Sequence, residues 1–380
     1  MVRFFQQTSY SMYHFESGPL VGPLRQDQSF TLTGSTIGSL VHLLHNVSEQ
    51  LLIHPYVHVI ALDFFKAFDS LRHISLTDTM NKFKLDDQPY NWACEFLEGR
   101  NHSTQFNHSM STFTDINASV VQGSPLGPVS FILNMVNLTP LHSVNIFSKY
   151  ADDCHLIVPA TASSTIPDEI NHINDWAKSC NLRLNVVKTK EVIFTRPRFD
   201  RTLLPPPLPN IERVSSINIL GILMTQDLSF QPHVQKVLSK GHQLFYSLKI
   251  LKAHGLIGTD LHRVTTTLMH ASIFYASPAW FGFLSQTEIK QLNALIRKMF
   301  KWGFTLRESP TFEQLCEEYD SNLFSKILHN PNHALYHLLP PPHDVSYNFR
   351  PRPHNRVLPS TSSTLTKKNF MQRMIFKNSY

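Results

Sequence analysis

Apolar residues recur three and four positions apart at Leu40, Leu43, Leu44 and Val47, which predicts a helix with one buried face. Ser35 and Thr36 stand just ahead of it, where side-chain hydroxyls cap helix starts. Val57-His58-Val59-Ile60 is short and apolar and predicts a strand ending at Asp63. From Ile74 to Gly99, the spacing of Leu76, Met80, Phe83, Tyr90, Trp92, Cys94, Phe96 and Leu97 predicts helices that cover a sheet. Gly99-Arg100-Asn101-His102-Ser103 reads as a turn, and residues 104–106 and 115–121 as strands. They lead into Val121-Gln122-Gly123-Ser124-Pro125-Leu126-Gly127-Pro128, a glycine-rich turn before the apolar residues 129–136, where Pro125 and Pro128 suit a helix start.

Further along, Ser148-Lys149-Tyr150-Ala151-Asp152-Asp153-Cys154-His155-Leu156-Ile157-Val158 sets two adjacent carboxylates between apolar, β-prone runs. Neighbouring strand residues point to opposite faces, so these carboxylates share a site only if a tight turn separates two strands. Residues 166–180 form an amphipathic pattern through Ile170, Ile173, Trp176 and Ala177, and Val192-Ile193-Phe194 follows as a strand. Pro205-Pro206-Pro207-Leu208-Pro209 is a short extended linker, and the strand-like residues 217–223 come next. Two helical stripes then appear, one through Val234, Val237, Leu238, Leu244, Phe245, Leu248 and Leu251, the other through Ile289, Leu292, Ile296, Met299 and Phe300. Both are core stripes.

With 380 residues, 42% of them apolar, the chain is able to bury a sizeable core in more than one subdomain, which excludes disorder throughout. Cys94, Cys154, Cys180 and Cys316 lack paired spacing, so neither a disulfide framework nor a zinc knuckle is indicated. His54 and His58, like His102 and His108, have no third ligand beside them and read as structural. The first residues, Met1-Val2-Arg3-Phe4-Phe5-Gln6-Gln7, carry no charged-then-apolar leader, and no apolar run is long enough to span a bilayer. A soluble intracellular protein without membrane association is expected, with nuclear and cytoplasmic placement both open. The net charge is +6, but its distribution matters more: residues 230–303 hold nine Lys/Arg against two acids, and residues 345–380 hold seven Lys/Arg and no acid. The remainder is therefore acidic, the pattern of a protein that grips a polyanion with one part and processes it with another.

Three stretches occur in order: Ala61-Leu62-Asp63-Phe64-Phe65-Lys66-Ala67-Phe68-Asp69, the Gln122-Gly123-Ser124 turn and Tyr150-Ala151-Asp152-Asp153. In order and wording they resemble the palm motifs of reverse transcriptases of non-LTR (LINE-like) retrotransposons, and the resemblance runs from about Asp27 to Tyr380. It implies an α+β polymerase palm, an antiparallel sheet backed by helices, with partial fingers and a helical thumb. The implied boundaries are an unmatched segment at 1–26, a remnant of fingers at 27–60, palm at 61–225, thumb at 226–303 and a basic tail at 304–380.

The resemblance further implies that Asp63, Asp152 and Asp153 hold two Mg²⁺ ions bridging a primer 3′-hydroxyl and a dNTP. It places Phe68 as the aromatic crowding the sugar 2′ position, and Gln122 and Gly123 against the template base and incoming nucleotide. Leu184-Asn185-Val186-Val187-Lys188-Thr189 resembles the motif that puts its lysine, here Lys188, near the triphosphate. Lys236, Lys240, Lys290, Arg297, Lys298 and Lys301 are read as backbone contacts to a duplex of RNA template and DNA primer, and Tyr347–Arg356 as an extended segment laid along RNA. In the family a Phe-Arg-Pro normally precedes Thr-Gly-Ser-Thr, whereas here Phe30 is followed by Thr31 and Leu32. With the short N-terminal part, which gives the chain the look of an N-terminally truncated member, this supports two rival readings: a catalytically inactive element remnant that binds nucleic acid, and an unselected reading frame with no stable product. Protein partners are not legible.

Overall fold

The computed structural model describes residues 35–82, 86–119, 126–306, 310–342, 354–359 and 363–377. The chain divides into two compact units, one built on His58–Glu191 and Pro206–Glu212, the other on Thr33–Val57, Val192–Pro205 and Arg213 onward. Among the described residues no helix is long and apolar enough to cross a membrane. All four cysteines are free.

The first described helix, α1 (Thr36–Ile53), starts where the sequence predicts, because the Ser35 hydroxyl accepts the Gly38 amide at 3.0 Å. Leu40, Leu43, Leu44, Val47 and Leu51 are buried as the stripe predicts, but Ser39, Val41, His42 and Ser48 are buried as well, so the helix is covered on more than the one face expected. It stops at His54, which adopts extended backbone ahead of Pro55, as a residue before proline does. Arg196 closes the end by donating to the Leu51 and Leu52 carbonyls, which have no partner inside the helix.

Strand β1 (Tyr56–Leu62) is followed by three helices, α2 (Ala67–Ser70), α3 (His73–Lys82) and α4 (Asp87–Leu97). Leu76, Met80 and Leu97, on the predicted spacing, pack with Ala93 and with Leu133 of a later helix, so the cluster joins helices to one another, not to the sheet as expected; Phe83 lies outside the described residues. The next region departs from prediction. In place of two strands it holds four two-residue ones, β2 (Asn101–His102), β3 (Gln105–Phe106), β4 (Ser109–Met110) and β5 (Thr114–Asp115), paired β2 with β5 and β3 with β4. Every one of these eight residues is exposed, so no buried face stabilises a longer ladder. Beyond Asp115 the predicted strand is reduced to a single Arg72–Ala118 bridge within the described residues.

Helix α5 (Leu126–Val136) precedes the hairpin of β6 (Ile146–Tyr150) and β7 (Asp153–Pro159), and α6 (Ile166–Ser179) precedes β8 (Lys190–Thr195). With the short β9 (Glu212–Arg213) the strands form a five-stranded sheet in the order β6-β7-β1-β8-β9. The neighbours of β1 in the sheet come from distant parts of the chain, and its burial is nearly continuous, as for a central strand. Ile60, Leu62, Phe64, Phe131, Phe147, Leu156, Ile173 and Trp176 belong to one core joining sheet and helices. Some buried polar groups of this unit are paired: His58 Nδ1 meets Glu191 at 2.8 Å, and Glu169 accepts the Leu141 and His142 amides and the Asn145 side chain. The α+β class with a helix-backed sheet is as predicted.

The second unit continues with the hairpin β10 (Ser216–Ile219) and β11 (Ile222–Thr225), then α7 (Gln231–Ala253), α8 (Gly258–Ile273), α9 (Ser277–Trp280), α10 (Gln286–Lys301) and α11 (Phe312–His329). Capping boxes at Ser285/Glu288 and Thr311/Gln314 start α10 and α11. At Gly241, a Cβ would run into the Leu295 side chain, so the glycine lets α7 and α10 approach closely. The two predicted apolar stripes are buried along most of their length. Leu251 and Phe300, near the C-terminal ends, are instead exposed.

The basic tail also departs from prediction. Residues 343–353 lie outside the described part, but His354 is buried and holds the Ile375 carbonyl at 2.8 Å, while Arg356 donates to the Pro340 carbonyl and the Tyr336 hydroxyl. A final helix, α12 (Phe370–Phe376), buries Phe370, Met371, Met374 and Ile375 and pairs Arg373 with Asp320. Two arginines read as RNA contacts or solvated charge thus hold the fold together, since α12 supplies apolar surface worth burying.

Candidate active site

Asp63 sits just past the end of β1, where the chain leaves the sheet. Its position is fixed through residues 183–189. Phe64 bridges Leu184, Phe65 N–H donates to the Arg183 carbonyl at 2.8 Å, and Asn185 N–H donates to the Asp63 carbonyl at 2.7 Å. The Asn185 side-chain amide also donates to Asp63 Oδ2 at 2.8 Å. Carboxylates accept and do not donate, so the amide nitrogen is the end of Asn185 that faces Asp63. Asn185 then turns the chain: its carbonyl accepts the Lys188 amide at 3.1 Å, the Thr189 amide at 2.9 Å and the Thr189 hydroxyl at 2.9 Å.

Asp152 and Asp153 occupy the tip of the β6–β7 hairpin, in which Tyr150 pairs with Asp153 and only Ala151 and Asp152 form the turn. Ala151 takes a left-handed backbone, φ 53°, as two-residue hairpin turns demand. This answers the geometric condition read from the sequence. Behind the tip, the buried Lys149 donates to the Met135 and Leu138 carbonyls at 3.1 and 2.8 Å, at the C-terminal end of α5. The hairpin is thereby fastened to the helix that follows the glycine turn.

The Asp153 carboxyl is pushed up to about 6, first by partial removal from water, then by the negative charges of Asp152 and Asp63. Its side chain keeps an exposed edge all the same. Asp63 and the hairpin pair, from separate segments, therefore lie near enough to act on one another electrostatically. Among the described residues no three His, Cys, Asp or Glu side chains are drawn together tightly enough to form a ready cation cage. Like-charged carboxylates hold one another apart, and one oxygen of Asp63 is engaged by Asn185.

Phe68 is half-buried and packs on Phe131 with ring centroids 4.7 Å apart, at the margin of the core. Lys188 is exposed on the turn that begins at Asn185. Gln122 and Gly123 lie outside the described residues, as does the Phe30-Thr31-Leu32 stretch. Asn185 was legible as part of a motif, but its contact with Asp63 was not, because the two are more than a hundred positions apart. In the second unit, all nine Lys/Arg of residues 230–303 are exposed, including Lys236, Lys240, Lys290, Arg297, Lys298 and Lys301, and Lys249 lies over the exposed Trp302 ring at 4.3 Å.

Residues 12–224 match the family described as reverse transcriptase (RNA-dependent DNA polymerase). The probable RNA-directed DNA polymerase from transposon X-element of Drosophila melanogaster is 28% identical over 286 residues, covering 68% of this chain and 30% of that protein. The RNA-directed DNA polymerase from mobile element jockey of Drosophila funebris is 22% identical over 285 residues, covering 72% of this chain and 31% of that one. The chain thus spans less than a third of the length of these relatives. A structure of apo telomerase from Candida tropicalis aligns with a TM-score of 0.46 and 11% identity, covering 88% of this chain and 54% of the other. The family match takes in more than half of the chain, including both aspartate-bearing segments and the turn at Asn185. With relatives from transposable elements it bears out the resemblance drawn from the motifs, and the chain belongs to the reverse transcriptase (RNA-dependent DNA polymerase) family, on the side of the non-LTR, LINE-like retrotransposons.

Proposed function

We propose that this chain carries the catalytic centre of an RNA-directed DNA polymerase, extending a DNA primer from its 3′-hydroxyl with dNTPs on an RNA template. The observation that carries the reading is the approach of Asp63 to Asp152 and Asp153, close enough for their charges to raise the Asp153 carboxyl. A cluster of hard oxygen donors that repel one another suits divalent cations, and Mg²⁺ is the proposed occupant, two ions held by Asp63, Asp152 and Asp153. Ions held by these carboxylates would supply Lewis-acid chemistry, lowering the pKa of the attacking hydroxyl and offsetting charge on the pyrophosphate.

The protein's own part is positioning. Asp63 projects from a strand end pinned to residues 183–185, and the hairpin pair projects from a turn anchored by Lys149. Lys188, on the turn after Asn185, is proposed to donate charge or a proton to the leaving group. Phe68 is proposed to crowd the sugar 2′ position, with Phe131 behind it limiting its retreat. Gln122 and Gly123 are proposed to face template and nucleotide, and the exposed basic residues of 230–303 to follow the duplex backbone.

Primer extension on an RNA template with Mg²⁺, run beside Asp152→Ala, tests this. The wild type is expected to extend and the variant to lose at least about a hundredfold in rate; equal signals from the two overturn the reading. A second reading, an inactive relative that only binds nucleic acid, draws on the absence of a ready three-ligand cage among the described residues. It predicts duplex binding by both proteins and extension by neither.

A further inference from the structure

Among the described residues, the Asp63 carboxylate has a fixed side-chain partner, Asn185. Asn185 contacts it twice: its backbone N–H reaches the Asp63 carbonyl at 2.7 Å, and its side-chain amide reaches Oδ2 at 2.8 Å. The first bond registers the main chains, and the second selects one orientation of the carboxylate. Asn185 is itself buried, 4% exposed, so its amide is not free to swing to solvent and back. Its carbonyl, meanwhile, gathers three bonds from Lys188 and Thr189, and the Thr189 hydroxyl accepts from the Asp63 amide at 3.4 Å. A single residue therefore ties the carboxylate of Asp63 to the turn that bears Lys188.

Resting on the polymerase reading above, we propose that Asn185 is a positioning residue for that centre: its amide occupies Oδ2 of Asp63, leaves Oδ1 to meet a cation, and keeps the carboxylate from rotating away from it. A partner that holds a ligating group in this way sets metal affinity without touching the metal. The neutral amide also suits the place, because a second carboxylate there would add to the repulsion already felt at Asp153. The Asn185 side-chain oxygen also accepts the Lys188 amide, at 3.4 Å, but the shorter bonds of the turn go to the backbone at position 185, so most of the turn survives replacement of the side chain.

The test uses the full chain and Asn185→Leu, which keeps the branched heavy-atom skeleton and removes the donor, with the smaller Asn185→Ala as a second variant. Mn²⁺ binding is followed by electron paramagnetic resonance, and thermal unfolding is followed in EDTA and across a Mn²⁺ series. The expected result is a rise of about 10- to 100-fold in the Mn²⁺ concentration needed for half-saturation, in both variants, with melting in EDTA close to wild type for the leucine variant. A purely structural asparagine would do the reverse, lowering the melting temperature in EDTA and leaving Mn²⁺ half-saturation where it was, and this overturns the proposal. Asp63→Asn serves as the reference. If wild type and Asp63→Asn respond to Mn²⁺ alike, the metal-dependent centre fails and the role of Asn185 fails with it. If only the Asn185 variants match wild type, the centre stands and this inference alone is refuted.

Discussion

Single residues at the hairpin and at the end of β1 decide how charge is handled. Asp63 leaves the end of the central strand β1 and Asp152 and Asp153 sit at the β6–β7 hairpin tip, near enough to act on one another's charge, while the buried Lys149 donates to two helix-end carbonyls. Its sequence context, between Ser148 and Tyr150 in the acidic motif, gives no hint of this, since a lysine so placed reads as surface. Lys149→Met keeps the stem and removes the donors, leaving the Met135 and Leu138 carbonyls buried without them. A loss of about 1–3 kcal/mol for each orphaned carbonyl is expected, measured by urea unfolding. A variant as stable as wild type would mean that water or backbone adjustment satisfies both carbonyls. Phe68 shows the opposite relation: its aromatic character was legible, but its stacking on Phe131 makes it core as well as candidate gate. A polymerase role for it must be separated from packing.

At the scale of elements, periodicity predicted best where an apolar stripe is continuous. Helix α1, the helices of 73–97, α6 and the long α7 all fall where the apolar stripes put them, because tertiary packing rewards the same face that the spacing marks. Residues 101–115 carried no such stripe, and their strands shrink to exposed pairs. The C-terminal helix was hidden behind a charge count. Seven cations without an acid read as a nucleic-acid tail, yet Arg373 spans Asp320, the Pro278 carbonyl and the Phe281 ring, and α12 closes onto α11. Gly282 makes that closure possible. A Cβ there would run into the Lys368 carbonyl and the Arg373 side chain. Gly282→Ala is expected to cost about 1–3 kcal/mol and to expose the segment after Ser363 to protease earlier than the rest; unchanged melting and cleavage would show that α12 accommodates the methyl group.

Across the whole molecule the buried histidines dominate the response to acid. Burial lowers His42 to about 3 and His45, His155 and His233 to about 4, with His337 adding to the shift at His42 and His45, and the Lys236 charge adding to it at His233. In the unfolded chain each returns to about 6.5, so between that value and about 4 the unfolded state binds more protons. Stability is therefore full above pH 6.5 and falls on acidification by roughly 1.4 kcal/mol per pH unit for each histidine. Glu49 and Asp320, both raised by burial, shift the other way and offset part of this loss. Melting temperature measured from pH 7 to pH 4 is expected to drop steeply. Replacing His42 and His45 by Gln should flatten the curve, and a profile flat from the start would refute the linkage.

From the amino-acid order alone came the family, the α+β class, the elements carrying continuous apolar stripes and the short candidate roster of Asp63, Asp152, Asp153 and Lys188, because local spacing and motif wording are properties of contiguous residues. Tertiary structure alone decided what those residues touch. The amide of Asn185 on Asp63, the lysine under the hairpin and the arginine locked into the C-terminal helix join positions from 11 to 122 residues apart. Such pairs form only when buried surface brings distant segments together and removes the water that would otherwise satisfy their polar groups.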